Sequence, residues 1–336
     1  MAEQHFSDIG RVEALRLLYE GTPFAPFGAK GFEAGAKAGV TLSSRTFIEG
    51  IDFNLVYFPL KHLGHKCITA VTGEIYAAFA HPRTLQVRLG ISAKLDFKEI
   101  REVWSGIVAA AKEYGYTDVG LDIAPSPNGL VISVSAVGET PLLSQRRRPA
   151  PKSKDLLCVS GNLGAAYLGL RVLERGRTAF ERGEEIPEMD RWRMLVGRYL
   201  KPDLPVSVVA QLEEAEIYPS AGTFVGRGLA DAVKTLIRDT GLGAKVYIDR
   251  IPFEGNTFEL GKELDVDPVS AAMNGGDDCR LLFTIPILAL EKFRRDFQTF
   301  SIIGHLAEAD VGAVLVTMEG AELPLRAPGW PEPEDI

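Results

Sequence analysis

Apolar residues recur at helical spacing from Ile9 to Tyr19, where Val12, Leu15, Leu18 and Tyr19 share one face, and this predicts an amphipathic helix. Gly21 to Gly39 then holds two prolines and four further glycines, so a loop is expected. Alternation resumes over Thr41 to Phe53 and again over Leu85 to Ile91, predicting strands. Between them, Pro59 to Thr72 predicts a helix entered through Pro59 and Leu60. Phe97 to Tyr114 predicts another, presenting Ile100, Val103, Ile107, Ala110 and Ala111 to a core. Val119 to Ile123 and Leu130 to Val137 read as strands separated by a turn containing Pro125, Pro127 and Gly129.

The pattern breaks over Gly138 to Lys154, a basic and proline-containing stretch that serves as the expected boundary between domains 1–148 and 149–336. Beyond it, Leu156 to Ser160 predicts a strand leading through Gly161, Asn162, Leu163 and Gly164 into a helix from Ala165 to Arg175. A glycine turn at a helix N-terminus can hold an anion, because free N–H groups and the helix dipole converge there; it can equally be a tight turn alone. Arg182 to Glu188 is expected to be exposed, Trp192 to Tyr199 and Leu229 to Asp239 helical, and Val246 to Ile248 a strand. Alternating helices and strands through both halves place the chain in the α/β or α+β class.

Asn274 to Pro286, NGGDDCRLLFTIP, sets Gly275, Gly276, Asp277 and Asp278 directly before an apolar run, Leu281 to Thr284, that predicts a strand. A solvated acidic turn is one reading of those carboxylates; a binding site is the other. The chain has 336 residues, enough for two cores, and its net charge of -8 argues against nonspecific nucleic-acid binding. Its dense basic cluster, Arg146 to Arg148, reads either as a solvated linker or as a phosphate contact through Arg148. Cys67, Cys158 and Cys279 lie far apart among apolar neighbours, which suits buried reduced thiols better than a disulfide framework or zinc site. The N-terminus lacks a signal-peptide core and no apolar run reaches bilayer-spanning length, so a cytoplasmic protein without a membrane partner is expected.

SSRTFIEGIDF, HPRTLQVRLGIS, GLVISVSAVGE, LCVSGNLGAAYLGL, GRGLADAV, YIDRIPF and NGGDDCRLLFTIP occur in the order and spacing of bacterial thiamine-monophosphate kinases. The resemblance runs from about Thr41 to about Trp330 and extends to the aminoimidazole-ribonucleotide synthetase superfamily. It implies a two-domain fold, a homodimer pairing through the N-terminal sheet domains with Leu85 to Ile91 and Leu130 to Val137 at the interface, and a C-terminal α/β domain. It also implies ATP and Mg2+ as cofactors for phosphorylating thiamine monophosphate to thiamine diphosphate. Such a transfer needs no protein nucleophile; aspartates hold magnesium ions that neutralise two polyanions.

The chain departs from the family at those aspartates. Phe27 to Gly39 contains none where a Gly-Asp-Asp turn is usual, Arg45 stands at the next metal position and Glu74 at another. Asp122 matches the aspartate of a Gly-Gly-Asp turn, with Leu121 replacing the second glycine. Phe224 and Arg227 replace both aspartates of Asp-x-Ser-Asp-Gly-Leu, Ala165 replaces another after the C-terminal glycine turn, and Asp277 stands for the glutamate of Gly-Gly-Glu-Asp. Arginine is a donor-only group and cannot ligate a metal.

Carried over by resemblance, Asp122 and Glu74 would hold one magnesium and serve catalysis. Arg45, Thr46, Arg148, Gly161, Asn162, Gly164 and Arg227 would contact nucleotide or phosphate, and Asp277 and Trp330 the thiamine phosphate. Trp330 reads equally as a capping aromatic in its proline-rich tail. Two further readings stand beside a kinase of reduced or lost activity. In one, the protein is an inactive homologue in which Arg45 and Arg227 either grip phosphate directly or seal the old site against Glu49, Glu74 or Asp122. In the other, it is a structural partner of an active homologue in a mixed dimer.

Overall fold

The computed structural model describes residues 32–33, 38–185, 190–255 and 257–327. The helix expected at Ile9–Tyr19, nearly all of the Gly21–Gly39 loop and Trp330 lie outside the described residues.

Strands β1 (Phe32–Glu33), β2 (Ala38–Ile48), β3 (His81–Ile91), β4 (Asp118–Pro125) and β5 (Val131–Pro141) form one sheet in the order β1-β2-β5-β3-β4. β2 and β5 run antiparallel with Arg45 opposite Val134, whereas β3 and β4 run parallel with Arg88 opposite Asp122. Period-two alternation sends Leu85, Val87, Leu89, Ile132 and Val134 into the core and leaves Ser44, Thr46, Arg88 and Asp122 on the open face. Most apolar side chains of β3 and β5 therefore face the helices, and the open face, where the resemblance puts dimer pairing, mixes hydroxyls and charges with the exposed Leu42 and Ile48 and the half-buried Val131 and Val137. Ser44 bonds Ser135 at 2.9 Å and Thr46 bonds Ser133 at 3.2 Å across it.

Helix α1 (Leu60–Ala77) covers this sheet and packs on its other side against the second sheet. Its buried residues surround the axis, from Leu63 to Tyr76, as a helix enclosed on both sides requires. Helix α2 (Phe97–Glu113) begins at a capping box: Asp96 accepts from the Glu99 N–H while the Glu99 side chain accepts from the Asp96 N–H. The two helices cross at facing glycines. A Cβ on Gly64 would stand 2.1 Å from the Val103 carbonyl, and one on Gly106 would stand 1.9 Å from that of Lys61.

The second sheet has seven strands, ordered β12-β11-β8-β10-β6-β9-β7. These are β6 (Leu156–Ser160), β7 (Ala221–Val225), β8 (Gly243–Tyr247), β9 (Arg280–Ile285), β10 (Phe300–Ala307), β11 (Ala313–Val316) and β12 (Glu322–Pro324). Every residue of β9 is buried, as the apolar run Leu281 to Phe283 anticipates, and the buried Arg280 and Thr284 are hydrogen-bonded. One core continues from Phe47 and Ile132 through α1 to Phe283 and Phe300, so the two sheets share it.

The basic stretch after β5 is not a solvated linker. Helix α3 (Leu142–Arg147) occupies it, Ser144 Oγ donates to Glu213, and Arg148 donates to the carbonyls of Pro219 at 2.9 Å and Ala78 at 3.0 Å. Those bonds bind the end of α1 to a loop beside the second sheet, and they remove Arg148 from the candidate phosphate contacts. Burial pushes its pKa down to about 10.

Candidate functional site

β2 sends Arg45 and Phe47 to its helix-facing side, while Thr46, one residue along, turns to the open face. After β2 the chain turns at Gly50, φ 85°, and Asp52 accepts from the Ile48 N–H at 2.9 Å. This brings Asp52 Oδ1 to 3.9 Å from Arg45 Nη2, and the guanidinium lies 5.0 Å from the Phe47 ring centroid. Among the described residues no acceptor serves the buried Arg45 Nε.

α1 contributes Lys66, whose side chain is only 6% exposed. Its Nζ lies 3.2 Å from Asp277 Oδ2, 3.6 Å from the centroid of Tyr199 and 5.3 Å from that of Phe58. The aromatic faces compensate part of the ammonium's lost hydration, on the order of 2 kcal/mol in a desolvated setting. No described acceptor takes a well-aligned hydrogen bond from Nζ, so its approach to Asp277 leaves donor capacity available.

The opposing wall comes from α4 (Ala165–Glu181) and α5 (Arg193–Leu200). Tyr57 donates to Glu174 Oε1, and Arg177 holds Glu174 Oε2 at 2.8 Å and Glu181 Oε1 at 2.9 Å. Burial raises the Tyr57 phenol well above its ordinary range, with Glu174 adding to it. Burial does the same to Tyr199, with the Asp277 charge second. Together these walls enclose a cleft of about 520 Å³ lined by Arg45, Asp52, Tyr57, Lys66, Glu174 and Asp277 among others. Its lining charges balance, with Arg45, Lys66 and Arg177 against Asp52, Glu174 and Asp277.

The turn that supplies Asp277 is left-handed at three positions: Gly276 at φ 78°, Asp277 at 62° and Cys279 at 52°. Such backbone is unfavourable for residues with a Cβ, and here the Asp277 N–H is held by the Gly226 carbonyl at 3.0 Å. Gly275 is needed for space, because its Cβ would stand 2.5 Å from the Tyr167 side chain.

The two carboxylates of that turn diverge. Asp278 is buried and accepts from the Gly164 N–H at 2.7 Å and the Ala166 N–H at 3.1 Å. Burial pushes it up to about 6, against the downward pull of those two bonds. The α4 N-terminus is thus capped from within the chain. The Gly161 and Leu163 N–H groups also have backbone partners, and the Asn162 carbonyl accepts from Arg280 Nε. Gly161 and Gly164 consequently have no free amide to offer a phosphate.

The remaining expected residues are dispersed. Glu74 accepts from Ser43 Oγ at 2.7 Å beneath the covered face of the first sheet. Asp122 pairs with Arg88 at 2.9 Å on the open face, so one chain does not bring these two carboxylates together. Phe224, 9% exposed, sits at the end of β7 with its ring against Gly73, where a Cβ would lie 2.2 Å from it. Arg227 is exposed in the turn after β7, while a Cβ on neighbouring Gly226 would stand 3.4 Å from Arg45 Nη1. Among the described residues no three acids, histidines or cysteines converge as a metal site would require. Arg45 and Phe224, which the resemblance sets at metal positions, offer a cation no oxygen ligand, and the cleft carboxylates Asp52, Glu174 and Asp277 each lie beside a cationic side chain. All three cysteines are free and buried, and no described helix is long and apolar enough to cross a membrane.

Lys66, Tyr57, Tyr199 and Glu174 escape a motif-based reading because none belongs to a compact motif. A signal for Lys66 does exist: it is the charged residue within HKCITAVTG, a run whose apolar content predicts burial on all sides.

A family model described as AIR synthase related protein, N-terminal domain, matches residues 31–140. The thiamine-monophosphate kinase of Methanopyrus kandleri is 26% identical over 254 residues, covering 74% of each chain. That of Pyrococcus horikoshii is 27% identical over 270 residues, covering 80% of this chain and 79% of the relative. Among solved structures, AaThiL complexed with AMPPCP and TMP superimposes with a TM-score of 0.76 at 21% identity, over 96% of this chain and 97% of that one.

Proposed function

We infer, for a chain that belongs to the thiamine-monophosphate kinase family within the AIR synthase-related superfamily, that its cleft binds a phosphorylated small molecule of the thiamine phosphate class through Arg45 and Lys66, without magnesium. The supporting observation is a pair of buried cationic nitrogens at the wall of a polar cleft that, among the described residues, make no well-aligned hydrogen bond: Arg45 Nε, and Lys66 Nζ, which has only its ion pair with Asp277. Leaving the Arg45 Nε donor unpaired costs about 1 to 3 kcal/mol, which an entering phosphate oxygen would recover while also using the spare donors of Lys66. The acidic and aromatic wall, Tyr57, Glu174 and Tyr199, suits the cationic ring of a zwitterionic ligand. The related structure holds AMPPCP and TMP, which makes both ligand types the natural probes.

In this reading, metal-dependent phosphoryl transfer is lost. Mg2+ would supply charge neutralisation between donor and acceptor phosphates if bound, but Arg45 and Phe224 offer it no oxygen. Arg45 and Lys66 hold and orient a phosphate as fixed donors, and burial by Phe58 and Tyr199 limits water around the ammonium. Incubating the purified protein with ATP, Mg2+ and thiamine monophosphate tests the chemistry: no thiamine diphosphate above a nucleotide-free blank is expected. Sustained, metal-dependent turnover would overturn this function.

A further inference from the structure

A second groove, of about 790 Å³, lies along α4 and meets the first cleft at Glu174 and Arg177, which line both. Its wall is a stripe of arginines. At ~100° per residue, Arg171, Arg175 and Arg182 project within about 40° of one another. All three are exposed, and among the described residues none takes a carboxylate partner. The fourth arginine, Arg177, is different, being fixed between Glu174 and Glu181 so that all three side chains are spoken for.

Simple complementarity to the helix dipole does not account for the stripe. That effect fades beyond the last turn, whereas Arg171 and Arg175 lie in the middle of a helix spanning Ala165–Glu181. Nor does helix pairing account for it, since arginines four apart repel one another. The carboxylates facing this groove are Glu174, already paired with Arg177, and Glu184 and Glu185 at its far end. With four arginines against three glutamates the groove lining is net positive by one, in a chain of net charge -8, and among the described residues three of those guanidinium groups take no carboxylate partner.

We propose that the α4 groove is a second anion-binding site, separate from the Arg45 and Lys66 pair, that takes a small polyphosphate without metal. Guanidinium forks match successive phosphate groups bidentately, and spacing along one helix face suits a short linear polyanion. Binding should weaken steeply with salt, because the donors are exposed.

Inorganic triphosphate is the probe, added to the full-length protein in chelator and followed by calorimetry at low and high salt. The triple variant Arg171→Gln, Arg175→Gln, Arg182→Gln is expected to bind it at least about tenfold more weakly. The pair Arg45→Gln, Lys66→Met is expected to leave it unchanged while losing thiamine monophosphate. Circular dichroism melting of each variant establishes that it folds. If the wild type shows no saturable triphosphate binding, or the triple variant binds as tightly, the groove is not a site. If the Arg45 and Lys66 pair alone abolishes triphosphate binding, the anion lies in the first cleft and the groove proposal is equally overturned.

Discussion

Lys66 is the residue on which the cleft turns, because a charge 6% exposed must find compensation within the chain. Among the described residues it has Asp277 at 3.2 Å and two aromatic rings, but no well-aligned hydrogen bond. Lys66→Met preserves the packing stem and removes the ammonium, so thiamine monophosphate should bind at least about tenfold more weakly to a protein that still melts cooperatively. Unchanged affinity in calorimetry would remove Lys66 from the site.

Asp278 makes a separate prediction through its pKa. Its ordinary value of 3.8 is lifted to about 6 in the folded chain, so the folded state holds the extra proton between those values. Its contribution therefore favours folding most below about pH 4 and declines as pH rises through 6, by up to roughly 3 kcal/mol. Asp278→Asn abolishes this titration while weakening the cap on α4. The destabilisation it causes, measured by urea unfolding, should be smaller at pH 7 than at pH 4; equal penalties at both would refute the shifted carboxyl.

Among elements, the crossing of α1 and α2 depends on glycines at the contact. Gly106→Ala would press a methyl into the Lys61 carbonyl, and overpacking of this kind costs about 1 to 3 kcal/mol. Denaturant unfolding should show that loss, and an unchanged midpoint would mean that the helices separate easily. Gly73 and Phe224 are a second coupled pair, one between the two sheets. Gly73→Ser alone should destabilise by a similar amount, and the double variant with Phe224→Ala should lose less than the sum of the two single losses, because the ring that clashes is gone.

These elements also show what the sequence could disclose. The helix at Phe97 to Tyr114 and the strand at Leu281 to Thr284 are legible because period and apolar run match burial, and they appear at Phe97–Glu113 and Arg280–Ile285. α1 runs five residues past its expected end at Thr72, since Gly73 and Glu74 weaken the local signal while burial between two sheets sustains the helix. β7, AGTFV, and β10, FSIIGHLA, carry glycines and a bulge that hide their period, and they form through pairing with distant strands. The turn that carries Asp277, a residue lining the cleft, was legible from its paired glycines. Its partner Lys66 was not, because 211 positions separate them and only the tertiary fold joins α1 to that turn.

At the scale of the molecule, two sheets sharing one core hold the cleft walls at fixed separation. Tyr57 to Glu174 and Lys66 to Asp277 cross it from one sheet system to the other. The fold shared with AaThiL is built around this core, with Phe224 packed within it and the Arg45 guanidinium beside Phe47 at its edge. In the function proposed above, fixed positive charge does the work of a metal ion, so binding requires no cation and is sensitive to ionic strength only as far as the cleft is open to solvent. Calorimetric titration of thiamine monophosphate into the wild-type protein, once with Mg2+ and once with excess chelator, tests this most directly. The account predicts the same saturable binding in both. Binding that appears only with Mg2+, or is absent in both, would contradict it.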